Sequence, residues 1–152
     1  MEGTLDIQQA KSKIAAAFPS GVKILDRTKP RMIFTTADKE VLYKYCQFLR
    51  DQLGFDQCTC VSGVDRCDRF QSVYHLASYT TNLLVEIVVD LPHDNPEVDS
   101  VTPLWGGANW HEREAYDMYG IIYKGHPRLE RILLPEDYKF FPFRKDCTAG
   151  RR

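Results

Sequence analysis

The chain has 152 residues, 43% hydrophobic and 27% charged, the profile of one ordinary globular domain with no room for a second. At this length folding buries roughly 70% of the surface of the unfolded chain, so no disulfide or metal staple is needed. Twenty basic side chains face 21 acidic ones, and a net charge of −1 argues against a general nucleic-acid binder.

The longest apolar run, Leu83 to Leu91, is interrupted by Glu86 and Asp90 and falls short of a membrane span. The start, Met1 to Asp6, lacks the basic flank and apolar stretch of a secretory signal and the arginines of a transit peptide. The expected setting is a soluble protein of a bacterial or archaeal cytoplasm, or of an organelle that makes its own proteins. Five cysteines (Cys46, Cys58, Cys60, Cys67, Cys147) are an odd number and read as reduced thiols. Charge is uneven: residues 54–100 carry 2 basic and 8 acidic side chains, while 1–53 carry 9 and 6 and 101–152 carry 9 and 7. The acidic middle is expected to be a solvated face.

Ile7, Ala10, Ile14 and Ala17-Phe18 recur at helical spacing behind Asp6, a natural cap. Val22–Ile24 and Met32–Thr35, separated by Thr28-Lys29-Pro30-Arg31, predict a hairpin. From Asp38, the positions Val41, Leu42, Tyr45, Phe48 and Leu49 predict a second helix that Gly54 ends. Strands are expected over Phe55–Val61, Phe70–Tyr79 and Leu83–Asp90, with breaks at Ser62-Gly63 followed by Asp65-Arg66-Cys67-Asp68 and at Thr80-Thr81-Asn82, too short for parallel crossovers.

The fold class is therefore α+β: a two-layer sandwich in the order helix, two strands, helix, three strands, with a mostly antiparallel sheet and helices on one face. Pro92, Pro96 and Pro103 then mark an irregular stretch. Asn109-Trp110-His111-Glu112 opens a short helix with Asn109 as cap and Glu112 as the capping-box partner, and Gly120 closes it. After Gly120 no periodicity is sustained, yet Ile121-Ile122-Tyr123, Ile132-Leu133-Leu134 and Phe140-Phe141-Pro142-Phe143 are too apolar to stay solvated. The division is residues 1–107 as the α+β domain and 108–152 as a helix with an extended arm that lies against another protein.

Local chemistry is sparse. Cys58 and Cys60, alternate on a strand, could share a face with Cys67 nearby, but no CxxC or His pair completes four ligands. His111-Glu112 lacks a second histidine four residues on, where Ala115 stands. Glu112, Glu114 and Asp117 on one helix could form an acid/base pair, though acids near a helix start also serve its dipole. Gly125-His126-Pro127 reads as a turn before it reads as a base. No phosphate loop or nucleophile elbow is present. The readings that remain are a docking subunit, a stand-alone enzyme using Glu112, Glu114 or His126, and a metal or redox module on the cysteines.

The run Ala108-Asn109-Trp110-His111-Glu112-Arg113-Glu114-Ala115-Tyr116-Asp117-Met118-Tyr119-Gly120-Ile121, then Gly125-His126-Pro127, Arg131-Ile132-Leu133 and Pro142-Phe143-Arg144-Lys145-Asp146, resembles one family. It is similar to the C subunit of the proton-pumping NADH:quinone oxidoreductase, respiratory complex I, with its photosynthetic, methanogen and membrane-bound hydrogenase relatives. The sequence departs from the usual family pattern at Glu130, Tyr138, Phe140 and Phe143.

The resemblance implies a non-catalytic structural subunit with no cofactor of its own, docked on the large hydrogenase-like subunit of the peripheral arm. That subunit and the small iron-sulfur subunit form the quinone pocket. The implied location is the cytoplasmic or organelle-stromal face of a membrane, with the membrane reached only through the complex and no nucleic acid bound. Carried over by motif, the interface residues are Glu112, Arg113, Glu114, Asp117, Gly120, Gly125, His126, Pro127, Arg131, Phe140, Phe141, Pro142, Phe143, Arg144, Lys145 and Asp146. Arg131, Arg144 and Lys145 are expected to reach partner carboxylates or carbonyls while Phe140, Phe141 and Phe143 fill apolar hollows.

Overall fold

Asp6 starts the first helix as its composition demands. In the computed structural model, which describes residues 4–146, its carboxylate accepts from the Gln9 amide at 2.8 Å, and the Gln9 side chain accepts from the Asp6 amide at 3.1 Å. This reciprocal box, worth about 1 kcal/mol, fixes the start of α1 (Ile7–Ala17). Phe18, at its end, packs edge-on against Tyr45 and Phe48 of α2 (Leu42–Leu53), so the two helices form one layer. That second helix begins at Leu42, later than Asp38, because the Asp38 carbonyl first takes a turn with the Val41 and Leu42 amides at 3.0 Å.

The sheet beneath holds β1 (Val22–Ile24), β2 (Met32–Ala37), β3 (Gln57–Asp65), β4 (Arg69–Ala77) and β5 (Leu84–Pro92), in the order β1-β2-β5-β4-β3. β1–β2, β3–β4 and β4–β5 are antiparallel, as the short connections require; β2–β5 is parallel because a long excursion through α2, β3 and β4 separates them. Ile33 and Thr35, Val85, Ile87, Val89 and Leu91, and Phe70, Tyr74 and Leu76 alternate inward and are buried. The Tyr45 hydroxyl donates to Thr35 Oγ1 at 3.2 Å, tying α2 to the sheet.

Three expectations are corrected. Of the expected first break, Ser62-Gly63 lies inside β3, and the chain turns in its second half, at Arg66–Asp68, where Cys67 takes φ 71°. Between Cys58 and Cys60 the register shifts, so Cys58 pairs with inward-facing Leu76 and Cys60 with outward-facing His75. The bulge sends the two thiols to opposite faces, against the shared face that plain alternation suggests. Finally, the Pro-rich stretch and the residues after Gly120 contain two short strands, β6 (Glu97–Asp99) and β7 (Ile122–Lys124), which pair in parallel across α3 (Ala108–Tyr119). Neither has the hairpin turn that marks the equally short β1, and three residues without one carry too little pattern to be visible in sequence.

Candidate docking face on the third helix and the arm

At 100° per residue, Ala108, Glu112, Ala115 and Tyr119 form one stripe of α3, and this stripe lies against the sheet. Ala108, Glu112 and Ala115 are buried, and Tyr119 packs on Gly63 of β3. A Cβ on Gly63 would stand 2.5 Å from the Tyr119 ring, so this strand position must lack a side chain for the helix to approach.

The capping box expected at Asn109 and Glu112 does not form; Gly107 is the N-cap and no side chain caps it. Glu112 points inward instead, accepting from Ser100 Oγ at 2.6 Å and from the Val101 amide at 2.8 Å. Burial pushes its carboxyl up to about 7 against the pull of those two hydrogen bonds.

Asp117 lies nearly half a turn from that stripe and ought to face solvent, yet it is fully buried. The arm covers it. One oxygen accepts from Arg131 Nη1 at 2.8 Å; the other accepts from three successive amides, Ile132, Leu133 and Leu134, at 3.1, 2.7 and 3.0 Å. Burial alone would raise this carboxyl, but the guanidinium and the three amides outweigh it and hold it below the usual aspartate value.

The arm between Lys124 and Asp146 is fastened along its length. Arg113 donates to the Glu130 and Arg131 carbonyls at 3.1 and 3.0 Å and lies 5.2 Å over the Trp110 ring. Arg131 also reaches the Phe140 carbonyl at 2.9 Å and stacks on Phe141. Arg144 donates to the Tyr119 carbonyl at 2.6 Å, wedged between Phe70 and Phe141 at 4.9 and 4.8 Å.

Gly120, with φ 76°, ends α3 under this return; a Cβ there would meet Arg144 at 2.6 Å and Phe141 at 2.8 Å. Asp65, at the end of β3, accepts from the Lys145 and Cys67 amides at 2.8 and 2.7 Å, which overcome the effect of its burial and lower its pKa. Asp146 lies 3.7 Å from His93. His126 Nδ1 accepts from the Arg128 amide at 2.9 Å, so Nε2 carries the proton it gives to the Asn109 carbonyl at 3.1 Å. Burial, countered in part by that carbonyl, lowers its pKa and keeps the ring neutral.

The structure thus turns Arg131 and Arg144 inward, correcting the expectation that they project toward a partner: each already has its acceptors within the chain. The Lys145 backbone is anchored while its residue stays exposed, as do Glu114 and Pro127; Phe141 and Pro142 are half-buried. Alongside exposed charged residues such as Glu136, Asp137 and Lys139, large apolar side chains face outward: Phe140 is 50% exposed, Phe143 58% and Leu133 65%, with Trp110 at 62% on the part of α3 that the arm leaves bare. Trp110 and Leu133 are not among the interface residues carried over by motif. Trp110 lies seven positions before Asp117, on the same side of the helix, and that spacing is the signal the sequence offers for it.

The groups offered for acid/base chemistry do not converge: Glu112 is in the core, Glu114 lines a cleft with Cys60, His111 and Phe143, and His126 is bound to Asn109. Cys58 is buried, Cys60 lies 3.0 Å from Ser62 Oγ and Cys67 is exposed; Cys147 falls outside the described residues. Among the described residues no three His, Cys, Asp or Glu side chains gather as a metal site.

Helix α3 is thus clamped between the sheet and a self-fastened arm that turns Phe140 and Phe143 outward. The family model described as "Respiratory-chain NADH dehydrogenase, 30 Kd subunit" matches residues 35–152, and the chain belongs to that family. It is 36% identical over 145 residues to the C subunit of the F(420)H(2) dehydrogenase of Methanosarcina mazei, covering 93% of this chain and 92% of that one. To the C subunit of the NADH-quinone oxidoreductase of Roseiflexus sp. it is 47% identical over 116 residues, covering 73% and 67%.

The solved trypsin-resistant fragment (1-134) of Nqo5 superposes with a TM-score of 0.70 at 27% identity, covering 81% of this chain and 98% of that one. A chain of the archaeal membrane-bound sulfane sulfur reductase shares the fold, with a TM-score of 0.82 at 17% identity over 95% and 86%. The protein is a subunit of a membrane-associated, complex I-like assembly, and no helix among its described residues is long and apolar enough to cross a membrane.

Proposed function

We propose that this chain is a non-catalytic structural subunit that docks on the large hydrogenase-like subunit of its complex, beside the small iron-sulfur subunit, and so supports the quinone-reducing module. In this reading residues 1–107 are scaffold and residues 108–152 carry the docking helix and arm, on the cytoplasmic or organelle-stromal face of the membrane. The observation that carries it is the division of labour along the arm. Arg131 and Arg144 close on the chain itself, whereas Leu133, Phe140, Phe143 and the α3 residue Trp110 remain outside. Aromatic anchors on a rigid, desolvated support are the composition of binding hot spots.

The fastened arm also lowers the ordering cost of association. Purification of the native complex from source membranes through a tag on this chain, followed by mass spectrometry, is expected to return the large hydrogenase-like and small iron-sulfur subunits together. Recovery of the chain alone from the soluble fraction would overturn the reading.

A further inference from the structure

Glu112 is fully buried, and no Lys, Arg or His among the described residues forms an ion pair with it. The titratable groups whose fields it shares come from each element packed around it: Cys46 of α2, Cys58 of β3, Tyr74 of β4 and Tyr123 of β7. None of them can carry positive charge. Their own burial pushes all four up, Cys58 to about 12, so they stay neutral around Glu112. Among the described residues two donors reach the carboxyl, Ser100 Oγ at 2.6 Å and the Val101 amide at 2.8 Å.

Both protonation states fit that cage. The ionised group accepts twice; the neutral group donates to Ser100 Oγ, whose own hydrogen then turns to Thr102 Oγ1 at 2.8 Å. The two states differ in one respect, an unpaired buried charge, and such a charge is costly.

We propose that Glu112 is a proton-operated seat for α3: protonated, it packs as a neutral group beneath the helix; ionised, it leaves an unpaired buried charge at the joint with residues 100–102 and loosens the hold of α3 there. The sign follows from linkage. A carboxyl whose titration in the folded chain is moved up to about 7, from an ordinary 4.5, binds its proton more tightly folded than unfolded. Its contribution is complete below about pH 4.5 and is lost as pH climbs from there to about 7. Between pH 5.5 and 8.5 this group alone raises the unfolding equilibrium constant about thirtyfold.

The test is urea unfolding of the full chain at several pH values for the wild type and Glu112→Gln. Gln fits the same cage, its oxygen accepting from Val101 and its amide donating to Ser100. The wild type should lose about thirtyfold more in folded-to-unfolded ratio than the variant over this range. Hydrogen exchange at 100–102 and 108–115, referenced to the chemical rate at each pH, should accelerate with the same midpoint in the wild type only. Parallel pH profiles for the two proteins would overturn the proposal. If Glu112→Gln fails to fold, a carbon-13 titration of the Glu112 carboxyl in the wild type decides: a midpoint near 7 supports it and one below 5 refutes it.

Discussion

Glu112 and Asp117 are fully buried carboxylates on opposite sides of one helix, and their surroundings differ in what matters for a charge. On the sheet side, Glu112 has two donors and no cation among the described residues. On the arm side, Asp117 has a guanidinium and three amides. Opposite pH responses follow. The stability Asp117 supplies is complete above the ordinary aspartate pKa and is lost as pH falls through its lowered value, whereas that of Glu112 is lost as pH rises through about 7. Helix α3 is packed to the sheet by shape and to the arm by charge, with Arg131 and Arg144 of the arm as internal fasteners.

Breaking the arm side has the largest expected effect. Asp117→Ala leaves Arg131, whose side chain is 9% exposed, without its carboxylate and frees three amides at once. A loss of about 3–5 kcal/mol is expected in urea unfolding, with faster proteolysis after Lys124. The sheet side breaks by volume: Gly63→Ala drives a methyl into the Tyr119 ring and should cost about 1–3 kcal/mol by the same measurement. The smallest effect belongs to His126, whose neutral ring accepts from Arg128 and donates to Asn109. Its contribution is present above the ordinary histidine pKa and fades as pH falls, so its NMR titration midpoint should lie below 6.5.

Local rules carried the first two helices and the five strands of the main sheet into view. Asp6 with Gln9, and the stripe Leu42, Tyr45, Leu49, are interactions between near neighbours in the chain. The misses share a cause: a distant residue overrode a local preference. Ser62-Gly63 reads as a turn, but Gly63 is there to admit Tyr119, more than fifty residues away. Glu112 reads as a capping residue, but Ser100 and Val101 draw it inward. Arg131 and Arg144 read as free cations because nothing local shows that Asp117 and the Tyr119 carbonyl await them. The family signature was legible throughout, since it depends on the order of motifs and not on where each side chain points.

The central claim is that the outward aromatics of the arm, not its arginines, meet the partner. It is tested most directly by the double change Phe140→Ser with Phe143→Ser, compared with Lys13→Ala on α1. Both rings are at least half exposed, so unfolding free energy should move by less than about 1 kcal/mol. Recovery of the large hydrogenase-like subunit on the tagged chain should nevertheless fall about tenfold or more, while Lys13→Ala leaves it intact. Equal recovery with the double variant and with Lys13→Ala would contradict the account.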